Sequence, residues 1–385
     1  MNILIAPDKF KGSLSAAEVC EAIQTGIHRF NPDIKTHIHP LADGGEGSLE
    51  ILQQYTDTQK VSLSVADPLM RPIEAQYLIA KQTAYIEMSA ASGLVLLAES
   101  ERNCTNTTTF GTGEMILDAI RRGIRDIVLF IGGSATNDVG TGMASALGYR
   151  FLDADKNPIN PIGKNLSEIK IIYNKNSLLN LANVSVRVLC DVTNPLYGTQ
   201  GAAYTYARQK GANDAEIEHL DKGLRNIAEV LKANNYPDIA DLEGTGAAGG
   251  MGGGAVAFLG AEMVSGINFF IELTDLEAKI QTTDLVITGE GKLDDQTLKG
   301  KVVSGVTALA NRHNIPVIAV CGANTLQGDE LGLKNIYSVM DISQSVEEAM
   351  RDAKEKVADL GFQIIKDNYT VNQLFHSRDS NQNGI

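Results

Sequence analysis

Apolar and polar positions alternate along this chain in two distinct rhythms. Residues 2–6 form a short apolar run, the pattern of a buried strand. Residues 15–30 then place Ala16, Val19, Cys20, Ile23 and Ile27 at helical spacing, with Ser15 set as an N-cap ahead of Glu18. A second strand over 35–40 and a second helix over 47–55 follow. The same rhythm returns toward the other end, with strands at 285–288, 316–321 and 336–340 and helices at 297–313 and 346–360. Strands that alternate with amphipathic helices predict right-handed crossovers and a parallel sheet.

The stretch between reads differently. Short strands crowd together at 61–65, 75–80 and 84–88, as in antiparallel pairing. Beyond them, 126–131 and 184–190 have the make-up of buried strands, and 214–234 that of a long helix with a polar face. The expected fold class is therefore α/β with two domains. A doubly wound parallel-sheet domain is built from both chain ends (1–60 plus 283–365), and a mixed α/β domain (61–282) is inserted in it. Insertion is preferred to three sequential units because neither end has enough strands for a sheet of its own. The polar stretch 366–385 lacks periodicity and is expected to fray.

Composition narrows the function classes. At 385 residues the chain exceeds one compact core, and its 43% apolar and 21% charged residues are ordinary for a globular enzyme. A net charge of −14 disfavours nucleic acid or an anionic membrane as partner. An anionic ligand would then need lysines, backbone N–H groups or a divalent cation at its site. Cys20, Cys104, Cys190 and Cys321 are far apart and form no C-x-x-C pair, which suits a reducing compartment. Residues 1–8 lack the features of a signal peptide, and no apolar run approaches the roughly 18 residues of a membrane helix. A cytoplasmic location is expected.

Candidate chemistry gathers behind the proposed parallel strands, where open α/β sheets bind their ligands. Pro7 to Ser13 follows the first strand, Ala42 to Gly47 the second, and Gly289 to Thr297 and Gly322 to Asn324 the later two. These turns combine carboxylates, lysines and glycines, a mixture suited to a metal, a phosphate and close backbone approach. Ser134, Thr136, Asn137 and Asp138 precede a helix-like stretch at 139–147, where free N–H groups suit an anion unless a side chain caps them. Asp191 ends an apolar strand and reads equally as a base, a metal ligand or a turn residue. Arg71 lies in a hairpin-like turn, either as a bidentate carboxylate clamp or as an exposed turn residue. Gly244 to Gly249 matches G-x-G-x-x-G, but no strand precedes it, which counts against a nicotinamide-dependent oxidoreductase. A P-loop is absent, since Lys292 is followed by Leu293 and Lys301 by Val302. A non-catalytic protein that binds a small acid accounts poorly for clustered acidic and lysine turns.

The ordered motifs APDKFKGSLSA (6–16), ADGGEG (42–47), FGTGE (110–114), IGGSATND (131–138), CDVTNPL (190–196), GTGAAGGMGGG (244–254) and DLVITGEGKLDDQT (284–297) resemble the type 1 bacterial glycerate kinases over nearly the whole chain. The family usually has Ser where this chain has Lys9, and Gly where it has Met70. The resemblance implies a flavodoxin-like domain from the chain ends and an inserted domain likened to restriction-endonuclease folds. It also implies ATP-dependent phosphorylation of D-glycerate in the cleft between them, with 2-phosphoglycerate favoured over 3-phosphoglycerate.

On that resemblance Asp191 is the first candidate for the general base and Asp8 the second. Lys11 and Arg71 would hold the glycerate carboxylate and the developing phosphoryl charge. Ser134, Thr136, Asn137 and Asn194 would contact the substrate or its phosphate. Gly44, Gly45, Gly289, Glu290, Gly291, Asp294, Gln296 and Thr297 are the candidates for the nucleotide, and Asp43 and Glu46 for its Mg²⁺. The expected partners are D-glycerate and ATP, with neither nucleic acid nor membrane.

Overall fold

The computed structural model describes residues 1–45, 47–174, 183–295, 297–326 and 330–379, without the side chains of Lys299 and of 369–379. The strands run β1 (Asn2–Ile5), β2 (Lys35–Ile38), β3 (Gln59–Ala66), β4 (Pro72–Ala80), β5 (Thr83–Glu87), β6 (Asp126–Phe130), β7 (Arg150–Leu152), β8 (Ile171–Tyr173), β9 (Ser185–Leu189), β10 (Glu262–Val264), β11 (Leu285–Leu293), β12 (Val317–Asn324) and β13 (Asn335–Ser338). Packing divides the chain into two units. One comprises Met1–Asp43 and the chain from Ile267 onward, the other Gly44–Gly266.

In the first unit the chain ends meet strand to strand. β1 pairs in parallel with β11 through Ile3↔Leu285 and Ile5↔Ile287, and the whole sheet, β13-β12-β11-β1-β2, is parallel. Counted within the unit this is order 2-1-3-4-5, the winding of flavodoxin and its relatives. Ile3, Ile5, Ile287, Ile318 and Val320 supply the sheet's share of the core, and Val19, Ile23 and Ile27 supply that of helix Ala16–Phe30. Ser15 caps that helix in the expected manner: its hydroxyl accepts from Glu18 N at 3.3 Å, and its own N–H donates to Glu18 Oε2 at 2.8 Å.

The last helix, Ala353–Asp379, crosses Ala16–Phe30 so closely that a Cβ on Gly26 would lie 1.8 Å from Ala358 O. The helix assignment continues past residue 366, where fraying is expected. The helix runs on to Asp379, anchored by the buried Ile364 and Ile365, and residues 380–385 lie outside the described residues. The helix expected over 297–313 is also shorter. A 3-10 turn at Thr297–Lys299 ends at Gly300, whose φ is +102°, and the α-helix proper is Val302–Arg312.

The second unit holds the sheet β10-β9-β6-β5-β4-β3. Its β3, β4 and β5 form an antiparallel meander, and β5, β6, β9 and β10 are parallel. The packing boundaries fall after Asp43 and Gly266 rather than near 60 and 283. Helix Ser48–Tyr55 belongs with this sheet, since Leu49 N donates to Glu87 Oε1 at 3.0 Å. The chain after Gly266 belongs with the first unit, where Thr274 Oγ1 lies 2.9 Å from His39 Nε2. Helix Ala247–Leu259 incorporates the glycine run and packs by close backbone approach. Three successive left-handed residues, Ala248, Gly249 and Gly250, interrupt it.

Candidate functional site

The first unit assembles its chemistry at the carboxyl ends of β1 and β11. Parallel bonding continues past β1, with Ala6 N donating to Ile287 O and Asp8 N to Gly289 O, both at 2.8 Å. The segment after β2 follows β1, where Leu41 N donates to Pro7 O at 3.0 Å. Asp8 is consequently gathered with Asp43 and Glu290. Burial and these two neighbouring charges hold its carboxyl well above the usual carboxylate range, against the opposing pull of Lys9. Lys9 N–H donates to Asp8 Oδ1 at 2.7 Å.

Glu290 is buried. Its carboxylate accepts a very short bond from the Thr297 hydroxyl and lies 3.9 Å from Lys301 Nζ. Burial pushes it up to about 7, with Thr297 and Lys301 pulling the other way. Thr297 also closes the turn after β11. Its N–H donates to Asp294 O at 2.8 Å, and its hydroxyl accepts from Asp294 N at 3.1 Å. Asp294 pairs with Lys292 at 3.2 Å.

The expected loop from Gly289 to Lys292 is strand. β11 extends to Leu293 because β12 pairs with it through Lys292↔Ala323 and Leu293↔Asn324. Gly289 is glycine for that neighbour, since a Cβ there would sit 2.1 Å from Val320 O. At Gly291 a Cβ would lie 3.1 Å from Lys11 N, so the exposed turn carrying Lys11 rests against the end of β11. Hard carboxylate oxygens crowded enough to raise one another's pKa suit Mg²⁺, which keeps several waters and takes one or two protein carboxylates beside phosphate. Among the described residues no three His, Cys, Asp or Glu side chains converge to hold a metal unaided. Glu46 and Gln296 lie outside the described residues.

In the second unit the turn 134–138 is deeply buried. Its helix is Thr141–Ala146, shorter than 139–147, because Val139 and Gly140 are left-handed with φ of +54° and +66°. The anion expected at that helix start is supplied by the protein itself. Asp138 accepts from Thr109 N and Oγ1 at 2.8 Å each, from Gly142 N at 3.2 Å and from Gly140 N at 3.3 Å. Ser134 Oγ accepts from Lys210 Nζ at 2.7 Å, and Thr136 O accepts from the same ammonium at 2.8 Å. The Thr136 hydroxyl and both ends of the Asn137 amide are buried with no hydrogen-bond partner among the described residues.

Other expected site residues of this unit are engaged by the protein. Arg71 donates from Nε to Asp67 Oδ2 and from Nη1 to Glu101 Oε1, both at 2.6 Å. The preceding Met70 takes the left-handed conformation, φ +66°, that the turn requires. Asp191 Oδ1 accepts from Ser265 Oγ and Gly266 N at 2.8 Å each. Asn194 donates to Gln200 O at 2.7 Å and accepts from the Tyr206 hydroxyl at 2.7 Å, so it ties a loop together. Gly44, with φ of +88°, packs on Leu189, and Gly45 O accepts from Ser48 Oγ at 2.7 Å. Lys301 and Lys210 went unrecognised in the sequence. Neither stands in a motif that marks a site, and tertiary packing brings Lys301 to Glu290 and Lys210 to a buried turn.

These features define a mixed α/β enzyme with parallel sheets and charged strand ends. The model of the glycerate kinase family matches residues 3–368. A glycerate 2-kinase of Escherichia coli (strain K12) is 42% identical over 365 residues, covering 93% of this chain and 95% of that one. A glycerate kinase of Bacillus cereus is 40% identical over 362 residues, with the same shares covered. A crystal structure of a protein described as glycerate kinase 2 from Salmonella typhimurium LT2 superposes with TM-score 0.80 at 40% identity, covering 97% of this chain and 99% of that one. The chain belongs to the glycerate kinase family and is a kinase, a transferase of phosphoryl groups. No helix among the described residues is long and apolar enough to cross a membrane.

Proposed function

We propose that the protein transfers the γ-phosphoryl group of ATP to D-glycerate, at the 2-hydroxyl in preference to the 3-hydroxyl. The observation that carries this most is the gathering of Asp8, Asp43 and Glu290 at the ends of two central parallel strands, beside the Lys11 turn. Phosphoryl transfer asks the protein chiefly to align groups and balance charge. The preference for the 2-hydroxyl rests on the name of the Escherichia coli relative.

The unit built from the chain ends is assigned as flavodoxin-like on its 2-1-3-4-5 order. The restriction-endonuclease likeness of the other unit rests on family resemblance alone. Asp43 is assigned to Mg²⁺, which when bound screens the phosphate charge during transfer. Glu290 and Thr297, with Gly291 giving close backbone approach, are assigned to the nucleotide, and Lys11 to the developing phosphoryl charge. Thr136 and Asn137 are assigned to the acceptor, because they retain unused hydrogen-bonding groups.

For the proton of the acceptor hydroxyl the order of candidates changes. Asp191 is committed to a hydroxyl and a backbone N–H, whereas Asp8 stands at the end of a central strand with Lys9 N–H as its bonded donor. Asp8 is therefore preferred as the base. Arg71 enters only if its pair with Asp67 or Glu101 opens. Incubated with ATP and Mg²⁺, the protein should release ADP in proportion to added D-glycerate. ADP release that is absent, or indifferent to glycerate, contradicts the proposal.

A further inference from the structure

Lys210 is a lysine in an unusual place. It is 3% exposed, and no carboxylate among the described residues lies within ion-pair distance of its Nζ. An isolated buried ammonium is costly unless its protons are bonded. Two of its three donors are used, on Ser134 Oγ and Thr136 O, and these two acceptors bracket the turn 134–136. On its other side the turn is wedged against Gly249, where an added Cβ would lie 2.0 Å from Thr136 O and 2.7 Å from Asn137 Cα. The turn is thus clamped from two sides. Within it the Thr136 hydroxyl and the Asn137 amide oxygen and nitrogen remain unpartnered and shut off from bulk water. Native interiors leave few such groups, because each is costly when buried unpaired. Three on two consecutive residues, held by a buried cation, call for a polar ligand that both donates and accepts.

We propose that Lys210 is a positioning residue of the acceptor site, its ammonium fixing the turn 134–137 so that Thr136 and Asn137 keep their side-chain groups for the carboxylate and hydroxyls of the small hydroxy acid. This rests on the assignment of Thr136 and Asn137 to the acceptor, and it adds the group that holds them. Burial draws the Lys210 amine down to about 8. The titratable groups that act on it are Cys104, whose thiol burial pushes up to about 11, and Asp138, already bonded to four donors. Arg102, Lys164 and Glu216 are further charged groups beside the Cys104 segment, Glu216 through Asn103 Nδ2 at 2.9 Å and Lys164 through Asn106 Oδ1 at 2.8 Å. The Cys104 thiol, pushed up by burial, keeps its proton between pH 7 and 9, while burial raises Asp138 against the pull of its four donors.

The test is steady-state kinetics of Lys210→Met, Lys210→Arg, Ser134→Ala and Asn137→Ala in the full chain, with D-glycerate and ATP varied separately and thermal unfolding followed in parallel. Loss of charged hydrogen bonds of the usual strength predicts a KM for glycerate roughly 10- to 100-fold higher in Lys210→Met, with KM for ATP within about twofold. Lys210→Arg should restore part of the loss. In the wild type, KM for glycerate should rise as pH passes through about 8 and the ammonium loses its proton, an inflection that Lys210→Met abolishes. A lower unfolding temperature with both KM values unchanged makes Lys210 merely structural and overturns the proposal. If Lys210→Met does not fold, Ser134→Ala and the wild-type pH profile decide: an unchanged KM and a flat profile overturn it. Asn137→Ala separates the two levels. A raised KM there with normal Lys210 variants rejects Lys210 alone, whereas an unchanged KM removes the acceptor site from this turn and the proposal with it.

Discussion

Two aspartates at strand ends look interchangeable in the sequence and have different partners in the fold. Asp191 Oδ1 is an acceptor for Ser265 Oγ and Gly266 N. Removing its charge should weaken these contacts by about 1 kcal/mol and leave kcat within about tenfold of the wild type. Asp8 sits against Asp43 and Glu290, in surroundings that favour its protonated form. A general base contributes roughly 10²- to 10⁴-fold, so Asp8→Asn should lower kcat by that factor with little change in unfolding midpoint. Measured kcat values in the reverse order would return the base to Asp191. The resemblance ranks Asp191 first and Asp8 second; the proposed order is the reverse, because the ranking depends on which donors fold against each carboxylate. At Asp138 the sequence left an anion site and a side-chain cap both open, and in the fold that carboxylate accepts from Gly140 N and Gly142 N.

At the level of elements, periodicity located most strands but not the three-residue β7, β8 and β10, and it missed the helices Phe110–Arg121, Ala247–Leu259 and Gly266–Leu273; among the located elements, errors of length fall where pairing partners decide it. β11 and β12 each outrun their apolar cores, because two strands that share a register continue through glycine and lysine once each supplies the other's hydrogen bonds. The C-terminal helix was missed beyond 366. Its polar sequence there shows no stripe, and the close crossing with Ala16–Phe30, at Gly26 and Gly361, lies ahead of that stretch. The glycine run 244–254 matches G-x-G-x-x-G without a preceding strand, and in the fold it packs by close backbone approach. Gly249 combines φ of +71° with a Cβ position 2.0 Å from Thr136 O, whereas Gly123, at φ +91°, has nothing within 4 Å. Left-handed strain alone costs about 1–2 kcal/mol, so Gly123→Ala should lose about that much in urea unfolding. Gly249→Ala adds a backbone clash and should lose at least about 3 kcal/mol. Equal losses would mean that the turn 134–137 is not wedged as described.

At the scale of the whole molecule, the interleaving of the two ends was legible because both share one strand–helix rhythm and neither could complete a sheet alone. The packing boundaries were less legible. Helix Ser48–Tyr55 continues the rhythm of the first unit but hydrogen-bonds to the second, and no local pattern distinguishes the two outcomes. A chain carrying −14 needs local cations wherever it holds an anion. The lysines that matter here, Lys11, Lys210 and Lys301, come from segments far apart in sequence.

The central claim, phosphoryl transfer from ATP to the 2-hydroxyl of D-glycerate, is tested most directly by proton-coupled ³¹P NMR of the product formed with Mg²⁺. A phosphomonoester signal split into a doublet by the single proton on carbon 2 is the predicted result. A triplet from the two protons of carbon 3, or inorganic phosphate with no ester, would contradict it.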